Sequence, residues 1–334
     1  MAGILQKYFP MIRTRREMLE VIFEDERLSD MYLGWSEEQR LEFLNFCTGN
    51  KGVKILYDSF FKEIMNPENT PERLEEFLSL VLGQQVKILK VIPNDSARIA
   101  DESSLVVMDI VVEMEDHSIA NVEVQKMVYR FPGQRSACYS ADLLLRQYKR
   151  VKGERGKGFS YRDIQKVYTV VLYEKSPGEF KNFPDDYIHH FSQSSDTGLA
   201  VNLLQEYCFI ALDIFLGIVQ NKGIRNKLEA WLLFFSTDDP GEMEVLLEFY
   251  PEFRTLYEEI YELCRNVEKV MEMFSKELKE LDRNTVQCMI DEMQEEIDGM
   301  KRELSDKDTI LDERDQEIAR LKQQLKELQD TSRK

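Results

Sequence analysis

Three polar residues in two apolar segments have the types and the spacing that phosphoryl chemistry needs. Glu123 and Gln125 lie two positions apart in a β-branched run, so a strand there would direct both side chains to one face. Asp109 lies in the preceding apolar run, and the turn residues at 115–118 predict a β-hairpin. That hairpin would place Asp109 opposite or diagonal to Glu123, with their Cβ atoms within about 5 to 8 Å.

Two carboxylates that converge in this way repel each other unless a cation lies between them. An all-oxygen ligand set suits Mg²⁺ or Mn²⁺, and the backbone carbonyl of Val124 would complete the inner shell. A bound ion of this kind lowers the pKa of a water molecule and neutralises charge that develops on a phosphodiester. We therefore predict Asp109, Glu123 and Val124 as metal ligands, with Gln125 orienting the water.

A basic segment begins directly after these residues in a chain whose formal net charge is −18. Residues 125–166 contain eleven basic side chains against three acidic ones. Phosphate binding relies on Lys and Arg, so this segment is where the phosphates of a nucleic acid would be held.

The pattern of Asp109, thirteen residues and Glu123-Val-Gln125 resembles the PD-(D/E)XK nuclease superfamily. More narrowly, it resembles the branch of transposases and recombination-promoting nucleases, in which ExQ often replaces ExK. Asp58-Ser-Phe-Phe-Lys62 is similar to that branch's DxxFK signature on the first core helix, which adds Asp58 to the expected catalytic residues. Arg135 and Tyr139 fall where the branch carries an Arg and a Tyr.

The resemblance covers about residues 55–235. It implies an α/β fold with a restriction-endonuclease-like mixed sheet flanked by helices, and magnesium-dependent DNA cleavage. The residues expected to bind DNA are Lys62, Lys126, Arg130, Arg135, Tyr139, Arg146, Lys149 and Arg150.

Two residues depart from the superfamily pattern. Met108 stands where the superfamily name has a proline. Gln125 cannot carry the charge of the motif lysine, and Lys126 does not replace it because an odd offset along a strand points to the opposite face. Catalysis is therefore expected to be slow or lost.

Four segments are predicted along the chain. They are an N-terminal helical segment at 1–54, a nuclease-like core at 55–222, a helical region at 223–285 and a coiled coil at 286–334. The strands of the core are expected at 86–92, 105–114, 119–124, 167–173 and 207–212, with a long polar loop at 177–198 that holds His189 and His190 as surface residues.

A seven-residue repeat supports the coiled coil. Apolar residues occupy one position through six heptads, and a second position is interrupted twice; the two sets are Ile290, Ile297, Leu304, Leu311, Ile318, Leu325, and Met293, Met300, Leu321, Leu328. A sustained 3.5-residue period predicts a left-handed supercoil and a homodimer. The alternative is a single charged helix lying on the globular body.

Hydropathy and cysteine usage indicate whether the chain is a membrane, secreted or cytoplasmic protein. No apolar run reaches the roughly 18 residues that a membrane span needs, and the N-terminal residues lack a signal-peptide pattern. The five cysteines are scattered without a CxxC pair, which predicts reduced thiols in the cytoplasm.

Structural alternatives stay open for each candidate residue. Asp109 would also suit a buried acid paired with Arg135, and Glu123 with Gln125 would suit a solvated strand face. Asp58 and Lys62 have the i,i+4 spacing of a helix-surface ion pair, and the basic segment would suit a solvated helix face.

Three functions fit the sequence. The first is a metal-dependent DNA endonuclease of mobile-element or recombination type, with low sequence specificity. The second is a catalytically weak or inactive scaffold that acts through its coiled coil. The third is nucleic-acid binding without cleavage.

Overall fold

A computed structural model describes residues 4–92, 110–126 and 132–331. Two of the predicted site residues, Asp109 and Arg130, lie outside these ranges, as does the predicted strand segment 105–109.

Five helices precede the sheet: α1 (Arg15–Glu24), α2 (Glu26–Gly34), α3 (Glu37–Cys47), α4 (Asp58–Ile64) and α5 (Pro71–Leu82). Local signals fix several of their ends. Ser36 and Gln39 form the capping box at the start of α3, and Pro71 is the first residue of α5. Thr70 precedes Pro71 at the N-cap position, but its side chain makes no capping hydrogen bond.

The sheet contains β1 (Ile88–Val91), β2 (Ile110–Met114), β3 (Ile119–Gln125), β4 (Val167–Tyr173), β5 (Ile188–Phe191) and β6 (Gln205–Ala211). Its strand order is β1-β2-β3-β4-β6-β5. The pairs β3–β4 and β4–β6 are parallel, whereas β1–β2, β2–β3 and β5–β6 are antiparallel. This is the mixed sheet flanked by helices that was predicted.

The predicted hairpin joins β2 to β3. Its register pairs Ile110 with Val122 and Glu113 with Ile119. The Met114 amide donates to the Ser118 carbonyl at 2.9 Å, and His117 takes a positive φ of 65° in the turn. Because Asp109 is bonded to Ile110, and Val122 precedes Glu123, the described register ends one residue short of the predicted carboxylate pair.

The predicted loop at 177–198 contains β5, so that part of the prediction was wrong. His189 and His190 lie on this strand, opposite Phe209 and Cys208 of β6. A four-residue edge strand with two adjacent histidines lacks the alternation of apolar and polar residues that identifies a strand. Its hydrogen bonds to β6 supply the stability that the local sequence does not.

One face of the sheet packs on α6 (Pro132–Arg155), and the other lies in the main core with residues of α3, α4 and α5. Val111, Ile119 and Val167 contact Tyr139 and Leu143 of α6 in one apolar cluster. Residues of the opposite parity, such as Val112 and Val122, belong to the main core. Since strand residues alternate between faces, Asn121, Glu123 and Gln125 share the α6 face with Ile119.

The remaining helices are α7 (Leu212–Lys222), α8 (Lys227–Ser236), α9 (Pro240–Phe249), α10 (Phe253–Arg265) and α11 (Val267–Thr331). The main core joins residues from the predicted N-terminal segment, the nuclease-like core and the helical region, for example Phe43, Val122 and Trp231. The chain divides into two compact units, Met1–Asp282 and Arg283–Lys334.

The second unit is the continuation of α11 and carries the heptad residues. Those described are exposed, from 42% for Ile297 to 60% for Leu304. The helix is therefore as predicted, and its pairing with a second chain stays a prediction. No helix in the described ranges combines the length and hydropathy that crossing a membrane requires.

Candidate active site

Glu123 and Gln125 lie at the carboxyl end of β3 and are both buried, with 4% of their surfaces exposed. Glu123 accepts a hydrogen bond of 2.8 Å from the side-chain amide of Asn121, two residues earlier on the same face. The strand therefore forms a short polar row that points at α6. A solvated strand face, which was the structural alternative for these residues, does not fit this burial.

Asn121 Oδ1 lacks a hydrogen-bond partner among the described residues, but the side-chain amide of Gln125 is the most open group of this row. Neither its oxygen nor its nitrogen has a hydrogen-bond partner among the described residues. A buried polar group without a partner costs roughly 1–3 kcal/mol. Such groups are rare in folded proteins, and a role in binding water or an ion is one explanation for them. The backbone of Gln125 is satisfied, because its carbonyl accepts from the Glu174 amide at 2.9 Å.

Tyr173 is a site residue that the sequence analysis missed. It is the β4 partner of Gln125 in the parallel register and is fully buried. Burial raises the pKa of its hydroxyl, the charge of Glu123 raises it further, and Arg135 acts in the opposite direction. The register places Tyr173 beside Gln125, on the face of the sheet that carries Glu123. The register predicts this position only once the order of the strands is known.

Arg135 and Tyr139 occupy the first turns of α6, beside this row. The Arg135 guanidinium lies 5.3 Å from the centroid of the Tyr139 ring, a cation–π distance. Tyr139 is 5% exposed and packs in the apolar cluster between α6 and the sheet, so the ring that contacts Arg135 is held in place. Arg135 itself is half-buried.

Asp58 and Lys62 form an ion pair of 2.6 Å on α4. The backbone amide of Asp58 donates to Glu277 Oε2 at 2.8 Å. Glu277, on the first turns of α11, also forms an ion pair with Lys126. Thus one buried carboxylate joins the start of α4, which carries Asp58, to the residue that follows Gln125.

Glu277 is 1% exposed, and burial raises the pKa of its carboxyl, which Lys126 counteracts. Lys126 also lies 5.4 Å from the Tyr57 ring centroid. These contacts place Lys126 on the side of the sheet opposite Glu123, as the strand alternation predicted. Sequence reasoning missed Glu277 because 151 residues separate it from Lys126.

The basic residues further along α6 fall into two groups. Arg146 pairs with Asp142, and Arg150 pairs with Glu113, a β2 residue whose side chain is 3% exposed. Lys149 is exposed. Burial opposes the charged form of Glu113, but hydrogen bonds from His117, Arg150 and Lys90 outweigh it and lower its pKa.

Oxygen ligands for a hard cation are present on this face. Glu123 supplies a carboxylate, and the unpaired amide oxygen of Gln125 is of the same hard type. Val124 has a half-buried side chain that packs against the main core. Among the described residues, no group of three or more His, Cys, Asp or Glu side chains is arranged to bind a metal ion, and Asp109 lies outside them.

Comparison with family models decides what kind of protein carries this site. A model described as PD-(D/E)XK nuclease family transposase matches residues 55–289. The chain belongs to this family. The match reaches beyond residue 235, the expected limit of the resemblance, and so also includes α9, α10 and Glu277. Comparisons with curated proteins and with solved structures found no match.

As a member of the PD-(D/E)XK nuclease transposase family, the chain has a nuclease-like fold in which the polar row of β3 faces α6. Glu123 and Gln125 stand at the end of β3, and Asp58 begins α4. Both β3 and α4 lie within residues 55–289, the segment that matches the family. The contacts of the individual side chains, not the family name, distinguish those available to a substrate from those used within the fold.

Proposed function

We propose that the protein is a metal-dependent DNA endonuclease of mobile-element or recombination type that hydrolyses phosphodiester bonds. The observation that carries the proposal is the buried pair of Glu123 and Gln125, whose amide has no partner among the described residues. Most buried side-chain amides in folded proteins are hydrogen-bonded. An amide left open beside a carboxylate suits a site that receives water, a cation or a phosphate.

Mg²⁺ or Mn²⁺ fits the donor set of this site. Asp109, Glu123 and the Val124 carbonyl are the proposed ligands, all of them oxygen donors. A bound ion would supply a water of lowered pKa and compensate charge on the phosphodiester. Support for the pair of carboxylates comes from the hairpin, because Ile110 and Val122 are partners and are bonded to Asp109 and Glu123.

Other residues orient the reactants in this proposal. Gln125 holds the attacking water through its open amide, and Asn121 fixes the Glu123 carboxylate through their hydrogen bond. Arg135, supported by Tyr139, holds a phosphate beside the site. Asp58 keeps its proposed catalytic role at the start of α4.

The DNA surface proposed here begins at Arg135 and continues along α6 to Lys149. Lys62, Lys126, Arg130, Arg146 and Arg150 were also predicted to bind DNA. Of these, Lys126 and Arg150 are ion-paired with the buried carboxylates of Glu277 and Glu113. Pairs of this kind hold the fold together, so we assign a larger effect on DNA affinity to the exposed Lys149 than to either of these residues.

Homodimerisation through α11 completes the proposal. Two copies paired through the apolar heptad residues of α11 would bring two nuclease domains to one DNA duplex, one domain for each strand. The cytoplasm, where the free thiols of buried residues such as Cys47 and Cys208 stay reduced, is the proposed location.

A catalytically inactive scaffold is the alternative, and one observation favours it. Gln125 is uncharged where the superfamily motif has a lysine, and Lys126 is held by Glu277 on the other side of the sheet. No cationic side chain of β3 therefore lies on the face of Glu123.

Plasmid nicking separates these functions. The full chain is incubated with supercoiled plasmid in Mg²⁺, in Mn²⁺ and in EDTA, and compared with Asp109→Asn, Glu123→Gln and the exposed-turn control Glu115→Gln. We expect nicked circles with wild type and Glu115→Gln in the presence of metal only, and a loss of at least about 100-fold in the two site variants.

A wild type that never nicks in either metal overturns the nuclease and supports the scaffold. Retention of DNA that survives Glu123→Gln and falls with salt, without nicking, identifies a binding protein. Nicking that persists in Glu123→Gln assigns the activity to a different site.

A further inference from the structure

An aromatic cluster with a basic rim lies at the carboxyl end of α6, away from the candidate active site. It consists of Tyr148 on α6, and Phe159 and Tyr161 in the segment that follows; we call it the aromatic platform. The Tyr148 and Tyr161 rings are nearly parallel, 11° apart, with centroids separated by 6.0 Å. Phe159 meets both rings edge-on, at 5.5 and 5.3 Å.

The packing of the three rings does not explain why Tyr161 is exposed. Phe159 and Tyr148 are half-buried, and their edge-on contact joins the segment to α6. Tyr161 is 76% exposed, more than any other large apolar or aromatic side chain in the described ranges. An aromatic ring held at the surface in this way presents a face on which another planar group can stack.

The segment that carries Tyr161 is held in place by its own hydrogen bonds. Residues 161–163 form a 3-10 turn, and Ser160 and Asp163 make a capping box at its start. The Ser160 amide donates to Asp163 Oδ2 at 2.8 Å. Because the turn is fixed, Tyr161 would lose little conformational freedom when a ligand stacks on it.

Cations surround the platform in an otherwise acidic protein. Lys152 lies 5.1 Å from the Tyr148 ring centroid and donates to its hydroxyl at 2.7 Å. Lys157 and Arg162 are exposed on either side of Phe159 and Tyr161 in sequence. Basic side chains around an exposed ring complement a ligand that has both a planar aromatic group and negative charge.

We propose that the aromatic platform binds single-stranded DNA, with an unpaired base stacked on Tyr161 and the backbone held by Lys152, Lys157 and Arg162. Stacking needs a base whose face is free, which a paired duplex does not offer. The platform lies about 20 Å along α6 from Arg135, at 1.5 Å per residue. It would therefore hold an unpaired part of the substrate at a distance from the bond that is cut.

This inference rests on the proposed function only for the choice of DNA as the ligand. Binding in EDTA needs no cleavage, so the two proposals can fail separately. A wild type that nicks plasmid but binds single strands independently of Tyr161 overturns the platform alone. A wild type that never nicks but binds through Tyr161 overturns the nuclease alone.

The test measures fluorescence anisotropy of a labelled single-stranded oligonucleotide with the full chain in EDTA. We compare wild type, Tyr161→Ala, Tyr161→Phe and the control Phe249→Ala, which removes a ring that is 66% exposed on α9. Tyr161→Ala is expected to weaken binding about 5- to 100-fold. Tyr161→Phe and Phe249→Ala are expected to stay within about twofold of wild type.

An abasic oligonucleotide of the same length separates stacking from charge. Wild type and Tyr161→Ala are expected to bind it equally, whereas Lys157→Gln weakens binding to both oligonucleotides and reduces the salt dependence. The proposal is overturned if Tyr161→Ala binds the normal oligonucleotide as tightly as wild type does. It is equally overturned if that variant loses the same affinity for the abasic strand.

Discussion

The candidate site differs from a surface cluster of charges because its polar residues Glu123 and Gln125 are buried. Glu123 is buried and receives a hydrogen bond from Asn121, and Gln125 is buried with an open amide. The types and spacing of Glu123 and Gln125 could be read from the sequence, because alternation along a strand puts both on one face. Their neighbours could not be predicted from the sequence, because Tyr173 and Arg135 approach Glu123 and Gln125 only through the parallel pairing of β3 with β4 and the packing of α6.

Gln125→Ala is predicted to reduce plasmid nicking by about 10- to 100-fold, with the unfolding free energy changed by less than about 1 kcal/mol. The amide makes no hydrogen bond with the described residues, so its removal breaks none there. Denaturant unfolding and nicking rates measure the two effects.

Gln147→Ala is the matched control for that variant. Gln147 is also buried, but it donates to the His117 carbonyl and accepts from the Gln165 amide. It should lose about 1–3 kcal/mol of stability while the folded protein nicks normally. The opposite pattern in the two variants would make Gln125 a structural residue and Gln147 a functional one.

At the scale of elements, buried carboxylates join segments that are distant in sequence. Glu113 ties β2 to α6 through Arg150, and Glu277 ties α11 to α4 and to the end of β3. The helices, the hairpin and most strands follow from periodicity and capping residues. The strand β5 and the contacts of Glu113 and Glu277 do not follow from these local signals. Their stability comes from partners that only the folded chain brings near.

The ion pair with Glu113 predicts different roles for two adjacent cations on α6. Arg150→Gln should lower the unfolding free energy at neutral pH by about 1 kcal/mol and leave DNA affinity nearly unchanged. Lys149→Gln should leave stability unchanged and reduce the slope of log affinity against log salt by about 0.9 on duplex DNA.

The pH dependence of the unfolding free energy tests whether Arg150 acts through its ion pair with Glu113. A carboxyl with a lowered pKa stabilises the fold above its ordinary value of 4.5 and loses that contribution as the pH falls through the lowered value. The stability difference between wild type and Arg150→Gln should therefore vanish in acid. A difference that persists where Glu113 is protonated would show that Arg150 acts through packing instead.

The whole molecule combines a nuclease domain with a long helix whose apolar stripe is exposed. Leu304 and Leu311 are 60% and 58% exposed in the single chain, and burying such a stripe is the usual driving force for coiled-coil pairing. The heptad repeat is readable from sequence because its period is strict. The orientation of two paired helices is not, since the stripe alone suits parallel and antiparallel pairs.

Replacing Leu304 and Leu311 with glutamate is predicted to convert a dimer to a monomer in sedimentation equilibrium. The matched control replaces Arg302 and Thr309, which are exposed and lie off the stripe. With plasmid, the monomer should still nick but should form linear product more slowly than wild type. A wild type that is monomeric at all concentrations would contradict the proposed pairing.

Joint binding of a divalent cation by Asp109 and Glu123 is tested by Mn²⁺ titration calorimetry on the full chain. We predict uptake of about one Mn²⁺ per chain, with affinity at least about tenfold lower in Glu123→Gln and in Asp109→Asn and unchanged in Glu115→Gln. Equal Mn²⁺ affinity in wild type and Glu123→Gln, or no uptake by the wild type, would contradict it.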